Sequence, residues 1–161
     1  MTTATARPTL DFKLPLFAGA LFIALLCPCI AAAALGEPES SVQADGALLR
    51  GSIKVSDHAN YRLHEIKLPS GTLVREFAGP DGKIFAVAWR GPAAPNLRQT
   101  FGRYFDTFAA AAGKTRYRSH SRLELRQKDL VVQSSGHMRA FSGLAYLPQA
   151  LPTGVDAGDL H

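Results

Sequence analysis

Residues 86–105 read AVAWRGPAAPNLRQTFGRYF and hold the single tryptophan of a 161-residue chain. An apolar run enters Trp89, stops at Gly91-Pro92, and restarts beyond Pro95 in a polar and then aromatic pattern. A residue before proline is driven to extended conformations, so Gly91-Pro92 ends a strand. Asn96 is placed to cap the next helix, with Gln99 three residues on and Pro95 just outside, a variant of the capping box. Leu97, Phe101, Tyr104, Phe105, Phe108 and Ala112 then recur at helical spacing and predict one continuous amphipathic helix from Asn96 to Ala112. Gly113 stands where a C-terminal glycine cap belongs. Gly102 falls on the polar side of that helix at a cost of about 1 kcal/mol, and nothing local explains it. Trp89 is therefore read as a corner residue pointing into the core; the alternative is an exposed aromatic platform for a ligand.

Upstream of Trp89 the pattern is a meander. Tyr61–Leu68, Thr72–Ala78 and Lys83–Trp89 are strand-like, separated by Leu68-Pro69-Ser70-Gly71 and Gly79-Pro80-Asp81-Gly82. In each turn Pro presets the second position and Gly can take positive φ. The third strand is apolar on both faces, with Phe85, Val87 and Trp89 on one and Ile84, Ala86 and Ala88 on the other. It is expected to be central and covered on both sides, its alanine face letting a helix approach closely. Residues 37–51 form a small-residue lead-in, in which Ser41 could cap a short helix weakened by Gly46.

Three further strand-like runs follow the helix, Ser119–Gln127, Leu130–Ser135 and His137–Leu147, with turns at Lys128-Asp129 and Ser135-Gly136. The expected architecture is one α+β domain over 37–161. A long amphipathic helix packs on an antiparallel sheet of about six strands, three before it and three after. From about residue 148 the tail reads as irregular and surface-running.

The N-terminus reads as an export signal. Arg7 and Lys13 precede an apolar run from Leu14 to Leu35, which ends in small residues suited to cleavage after Ala34 or Gly36; we take residues 1–36 as the signal peptide. The run is also long enough for an uncleaved anchor. Either way, positive charge before it and Glu37 and Glu39 after it place the remainder outside the cytoplasm. Both cysteines, Cys27 and Cys29, lie inside the run, and neither follows the small residue a lipoprotein signal requires. The remaining domain of about 125 residues is cysteine-free and large enough for one core. Thiol nucleophiles, cysteine-ligated zinc and iron–sulfur clusters are thereby excluded.

Other catalytic patterns are missing as well. His64-Glu65 begins a His-Glu-x-x-His zinc motif, but Leu68 occupies the second histidine position. There is no Gly-x-Ser-x-Gly elbow and no glycine-rich phosphate loop. Ser135-Gly136-His137 reads first as a hairpin, and Asp57-His58 is only an adjacent acid–base pair. No cofactor and no metal site is expected.

The strongest local anomaly is KTRYRSHSRLELRQK, residues 114–128, with six Lys/Arg and one Glu in a chain whose formal net charge is +5. At a period of two, Arg118, His120, Arg122 and Arg126 share one face with Glu124, and Tyr117, Leu123 and Leu125 take the other. Such a strand either guards a sheet edge with charge or presents guanidinium groups to a polyanion. Nucleic acid is the weakest such partner, because no aromatic residue interleaves the arginines.

Several stretches together resemble a known family. They are Tyr61…His64-Glu65-Ile66…Leu68-Pro69-Ser70-Gly71-Thr72…Arg75-Glu76-Phe77, Phe85-Ala-Val-Ala-Trp89-Arg-Gly91-Pro92, Leu97-Arg98-Gln99…Phe101-Gly102…Tyr104-Phe105, Ser134-Ser135-Gly136-His137-Met138 and Ala145-Tyr146-Leu147-Pro148. They are similar to exported proteobacterial proteins known as a domain of unknown function, DUF2844. The resemblance implies a signal peptide and a Gram-negative periplasmic or secreted location, with no established activity. The functional expectation is an exported, non-catalytic accessory or binding module of the envelope, its partner an anionic glycan or lipopolysaccharide bound through Arg118, His120, Arg122 and Arg126. The alternative of another class is a cofactor-free hydrolase using a histidine.

Overall fold

The computed structural model describes residues 35–48, 50–114 and 122–160. Seven strands form a single antiparallel sheet: β1 (Ser52–Asp57), β2 (Arg62–Lys67), β3 (Leu73–Ala78), β4 (Ile84–Gly91), β5 (Arg122–Arg126), β6 (Val131–His137) and β7 (Ala140–Tyr146). Their spatial order is β1-β2-β3-β4-β7-β6-β5. The first four strands make a meander. The last three make a second one, joined to the first in reverse so that β7 pairs with β4. β4 is thus the middle strand, as its two apolar faces require.

Six of the strands sit where the pattern places them, and the expected count of six misses β1. Its SIKVSD is half-exposed and polar, and it is held as an edge by register to β2, Ile53 opposite Ile66 and Val55 opposite His64. The predicted turn glycines behave as expected: Gly71 and Gly82 have φ of 85° and 71° and close their turns onto the Leu68 and Gly79 carbonyls. The last hairpin turns at Met138-Arg139, with Arg139 at φ 62°, rather than at Ser135-Gly136, which stays within β6.

The single long helix is also corrected. Asn96 caps as expected, its Oδ1 accepting from the Arg98 and Gln99 N–H groups at 3.2 and 3.4 Å. The helix it starts, α2 (Leu97–Phe101), ends at Gly102, whose φ of 48° and ψ of −123° only glycine adopts without strain. One 3-10 turn follows, and α3 (Phe105–Lys114) then runs on through Gly113. Gly102 is therefore a hinge between two helices, which accounts for a glycine that a continuous helix does not want. A short α1 (Val42–Leu48) precedes β1.

One face of the sheet, the inner face, carries Ile66, Val74, Val87, Trp89, Val132, Ala145 and Leu125 under Leu35, Val42, Phe101 and Phe108. Trp89 is 3% exposed and packs on Phe101, ring centroids 6.0 Å apart. It is core, and the corner reading of its loop holds. A Cβ on Gly143 would sit 2.2 Å from the indole, so β7 must be bare there for Trp89 to lie across it.

The opposite, outer face differs from expectation in two ways. Phe85 does not share a face with Trp89: the register shifts between Phe77 and Ala78, leaving Phe85 as an extra residue and turning it outward with Ala86 and Ala88. Nor does a helix cover the alanines. The tail does, with Leu151, Val155 and the fully buried Leu160 packed on Phe77, Phe85 and Ala86.

Candidate functional site

The tail covers only one end of the outer face. The row it rests on is Leu63, Phe77, Ala86, Tyr146 and Val131, apolar from β2 to β6. Further along the same strands the outward-facing rows become polar. One runs Arg75, Ala88, Leu144, Gln133 and Glu124; the next runs Leu73, Arg90, Ser142, Ser135 and Arg122. Together they line an open trough of 540 Å³.

Its electrostatics are one-sided. Arg75 reaches Glu65 at 2.9 Å, and Glu124 is bound by Arg126 at 2.8 Å. Arg90 and Arg122 are both exposed and make no ion pair with any described residue. Between them on β7 and β6 lie Ser142 and Ser135, directly opposite one another with their hydroxyls 3.0 Å apart. Ala88 and Leu144 border it but are only 4% and 2% exposed, packed into the outer-face core with Phe77, Phe85 and Leu160. Trp89 also borders the trough, but its ring packs on the inner face against Phe101, so among the described lining residues none offers an aromatic platform. The arrangement can hold anions at two points and hydrogen-bond neutral hydroxyls between them.

Of the residues nominated from the sequence, Arg122 lines the trough. Arg126 lies on the same face, one step outside, where it neutralises Glu124. The alternation of β5 is as read, with Arg122, Glu124 and Arg126 exposed and Leu125 buried at 6%. β5 is also an edge strand, so its charges do guard an edge. Arg118 and His120 lie outside the described residues. Pattern reading missed Arg75, Arg90, Ser135 and Ser142. Arg75 and Ser142 fall in runs that read simply as strand, Arg90 just past the expected end of its strand and Ser135 in an expected turn, and only pairing of β4 with β7 brings them together.

A second polar cluster lies on the inner face. His64 and Glu76 are 5% and 2% exposed and stand opposite each other on β2 and β3. The segment before α1 supplies Glu39, whose Oε1 lies 2.9 Å from His64 Nε2 and 3.0 Å from Arg62 Nη1. Burial would push the Glu39 carboxyl up, but hydrogen bonds and charge from Arg62 and His64 outweigh it and hold it below its usual 4.5. The cluster fastens residues 35–41 to the sheet beside the bridge of Pro38 to Lys83. Among the described residues no group of three His, Cys, Asp or Glu is placed to hold a metal ion. No described helix is long and apolar enough to cross a membrane.

The class defined by this architecture is α+β, with short helices on one face of a seven-stranded antiparallel sheet and a half-covered opposite face. The family model for proteins of unknown function DUF2844 matches residues 31–160, and the chain belongs to that family. No curated protein and no solved structure gives a significant match.

Proposed function

We propose that this protein is an exported, non-catalytic binding module of the bacterial envelope, and that it holds an anionic envelope component in the trough of the outer face. The observation that carries the reading is the pair Arg90 and Arg122, two exposed cations with no ion pair among the described residues, on either side of two serine hydroxyls. Stability does not require solvated guanidinium groups there, and a concave surface of one sign concentrates ions of the other.

Export rests on the apolar N-terminal run and its flanking charges. Leu35 sharpens where the mature chain begins. Its side chain is fully buried and its N–H donates to the Thr100 carbonyl, while Gly36 N–H donates to Ile84. Cleavage after Gly36 would remove a core residue, so we place the cut after Ala34.

The test of export is N-terminal sequencing of protein from the envelope fraction, which should begin at Leu35; an intact chain in the cytosol overturns the localisation. The test of binding is retention on immobilised lipopolysaccharide and on an acidic polysaccharide at low salt. Arg90→Gln with Arg122→Gln should abolish retention and leave the melting temperature unchanged. Retention unaffected by the double change would remove the trough from the reading.

A further inference from the structure

The trough has a repeat direction, and that direction selects a ligand. Arg90, Ser142, Ser135 and Arg122 occupy one continuous cross-strand row on four neighbouring strands, β4, β7, β6 and β5. Three strand spacings separate the terminal arginines, roughly 14 Å between their backbones. A single small anion touches one end of such a row. An extended molecule lying across the strands meets cation, hydroxyl, hydroxyl, cation in turn. In the row beside it Ala88 and Leu144 are buried, so contact rests on the polar side chains of the row itself.

Resting on the proposed anion-binding function, we infer that the trough is a subsite for an acidic oligosaccharide whose two carboxylate-bearing sugars engage Arg90 and Arg122 while the hydroxyls between them bond the Ser135–Ser142 pair. The chemistry separates this ligand from other polyanions. A polyphosphate presents charge at every unit and offers no hydroxyls to two neutral serines. A single-stranded nucleic acid wants rings on which bases stack, and among the described residues the one aromatic residue that lines the trough, Trp89, is 3% exposed with its ring on the opposite face. A bilayer is flat on the scale of one domain and does not follow a trough. Guanidinium groups at both ends suit carboxylates, which they bind bidentately. Glu124 at the β5 end, already held by Arg126, disfavours charge at close spacing and so favours a ligand whose acidic groups are far apart.

The experiment is calorimetric titration of the signal-free protein with oligogalacturonates of increasing length, with neutral maltooligosaccharides and polyphosphate as controls. Affinity should rise on the order of 10²-fold once the chain spans both arginines, because the second contact becomes intramolecular. Arg90→Gln or Arg122→Gln should each erase that step while leaving the weak binding of the monosaccharide. Ser135→Ala with Ser142→Ala should weaken the long ligand and not galacturonate itself. In wild-type protein, amide shifts on adding the long ligand should fall on Arg90, Ser135, Ser142 and Arg122, a readout independent of whether any variant folds. Polyphosphate binding as tightly with the same arginine dependence would overturn the sugar assignment and leave the anion-binding function standing. Binding without a length step, or shifts elsewhere on the sheet, would overturn the row. No binding of any polyanion at low salt would end both.

Discussion

The two ends of the outer face are built on the same strands, yet one is sealed and the other open. At the sealed end Phe77, Phe85 and Ala86 are each no more than 3% exposed beneath an irregular tail that spends its apolar residues Leu151, Val155 and Leu160 on them. At the open end the same strands present Arg75 one outward position further along and Arg90, Ser142 and Ser135 two positions further. A sheet face needs cover where its side chains are apolar, and it tolerates water where they are polar. The difference teaches that the tail is needed where outward residues are apolar, while Arg90, Ser142 and Ser135 stand without such cover.

The comparison can be broken most directly by mutation, and the inner face sets the scale. Trp89→Ala should cost about 3–5 kcal/mol, as buried aromatic truncations do, read from the denaturant midpoint; a near-native midpoint would mean the corner is not core. Leu160→Ala should cost about 2–5 kcal/mol although it lies close to the chain end. A negligible loss would show that the tail does not seal the outer face. Gly143→Ala should cost about 1–3 kcal/mol by overpacking against the indole, and combining it with Trp89→Ala should cost less than the sum of the two, since the obstacle is then gone.

A smaller effect distinguishes the buried polar cluster from the open rows. Glu39 has its folded pKa lowered beneath the usual 4.5. On acidification the unfolded chain therefore takes up this proton first. The contribution of Glu39 is complete above about 4.5 and is lost as pH falls through the folded value. Stability measured across that window should fall less steeply in Glu39→Gln than in the parent; equal slopes would show that the carboxylate is not paired in solution. The smallest effect belongs to the trough. Arg90→Gln and Arg122→Gln should each change stability by no more than about 0.5 kcal/mol. A loss as large as that of Leu160→Ala would erase the distinction between the two ends.

Much of this fold is local and therefore legible. The period-two runs, the Pro/Gly turns before Gly71 and Gly82, the Asn96 cap and the inward Trp89 all follow from backbone preferences acting within a few residues. β1 escaped because its alternation rests on only two apolar residues, Ile53 and Val55, too short a signal to mark an edge strand. The break at Gly102 escaped because the apolar spacing of Leu97, Phe101, Tyr104, Phe105 and Phe108 continues across it, and periodicity does not register one residue's φ. In the candidate site, Arg122 was visible as a charge on an alternating strand, whereas Ser142 was an ordinary strand residue, Arg90 lay just past an expected strand end and Ser135 in an expected turn that the structure places inside β6.

The sequence by itself determined the class of the domain, its strands and turns, its cysteine-free core and the solvent-facing charge of β5. Tertiary structure alone decided that β7 lies against β4, that the tail seals the alanines, and that Arg90, Ser142, Ser135 and Arg122 form one row. The physical reason is the range of the forces. Strand and helix periods are written in neighbours along the chain. Which strand pairs with which is settled by matching whole apolar faces against loop-closure entropy over long separations, and a trough between distant strands exists only once that match is made.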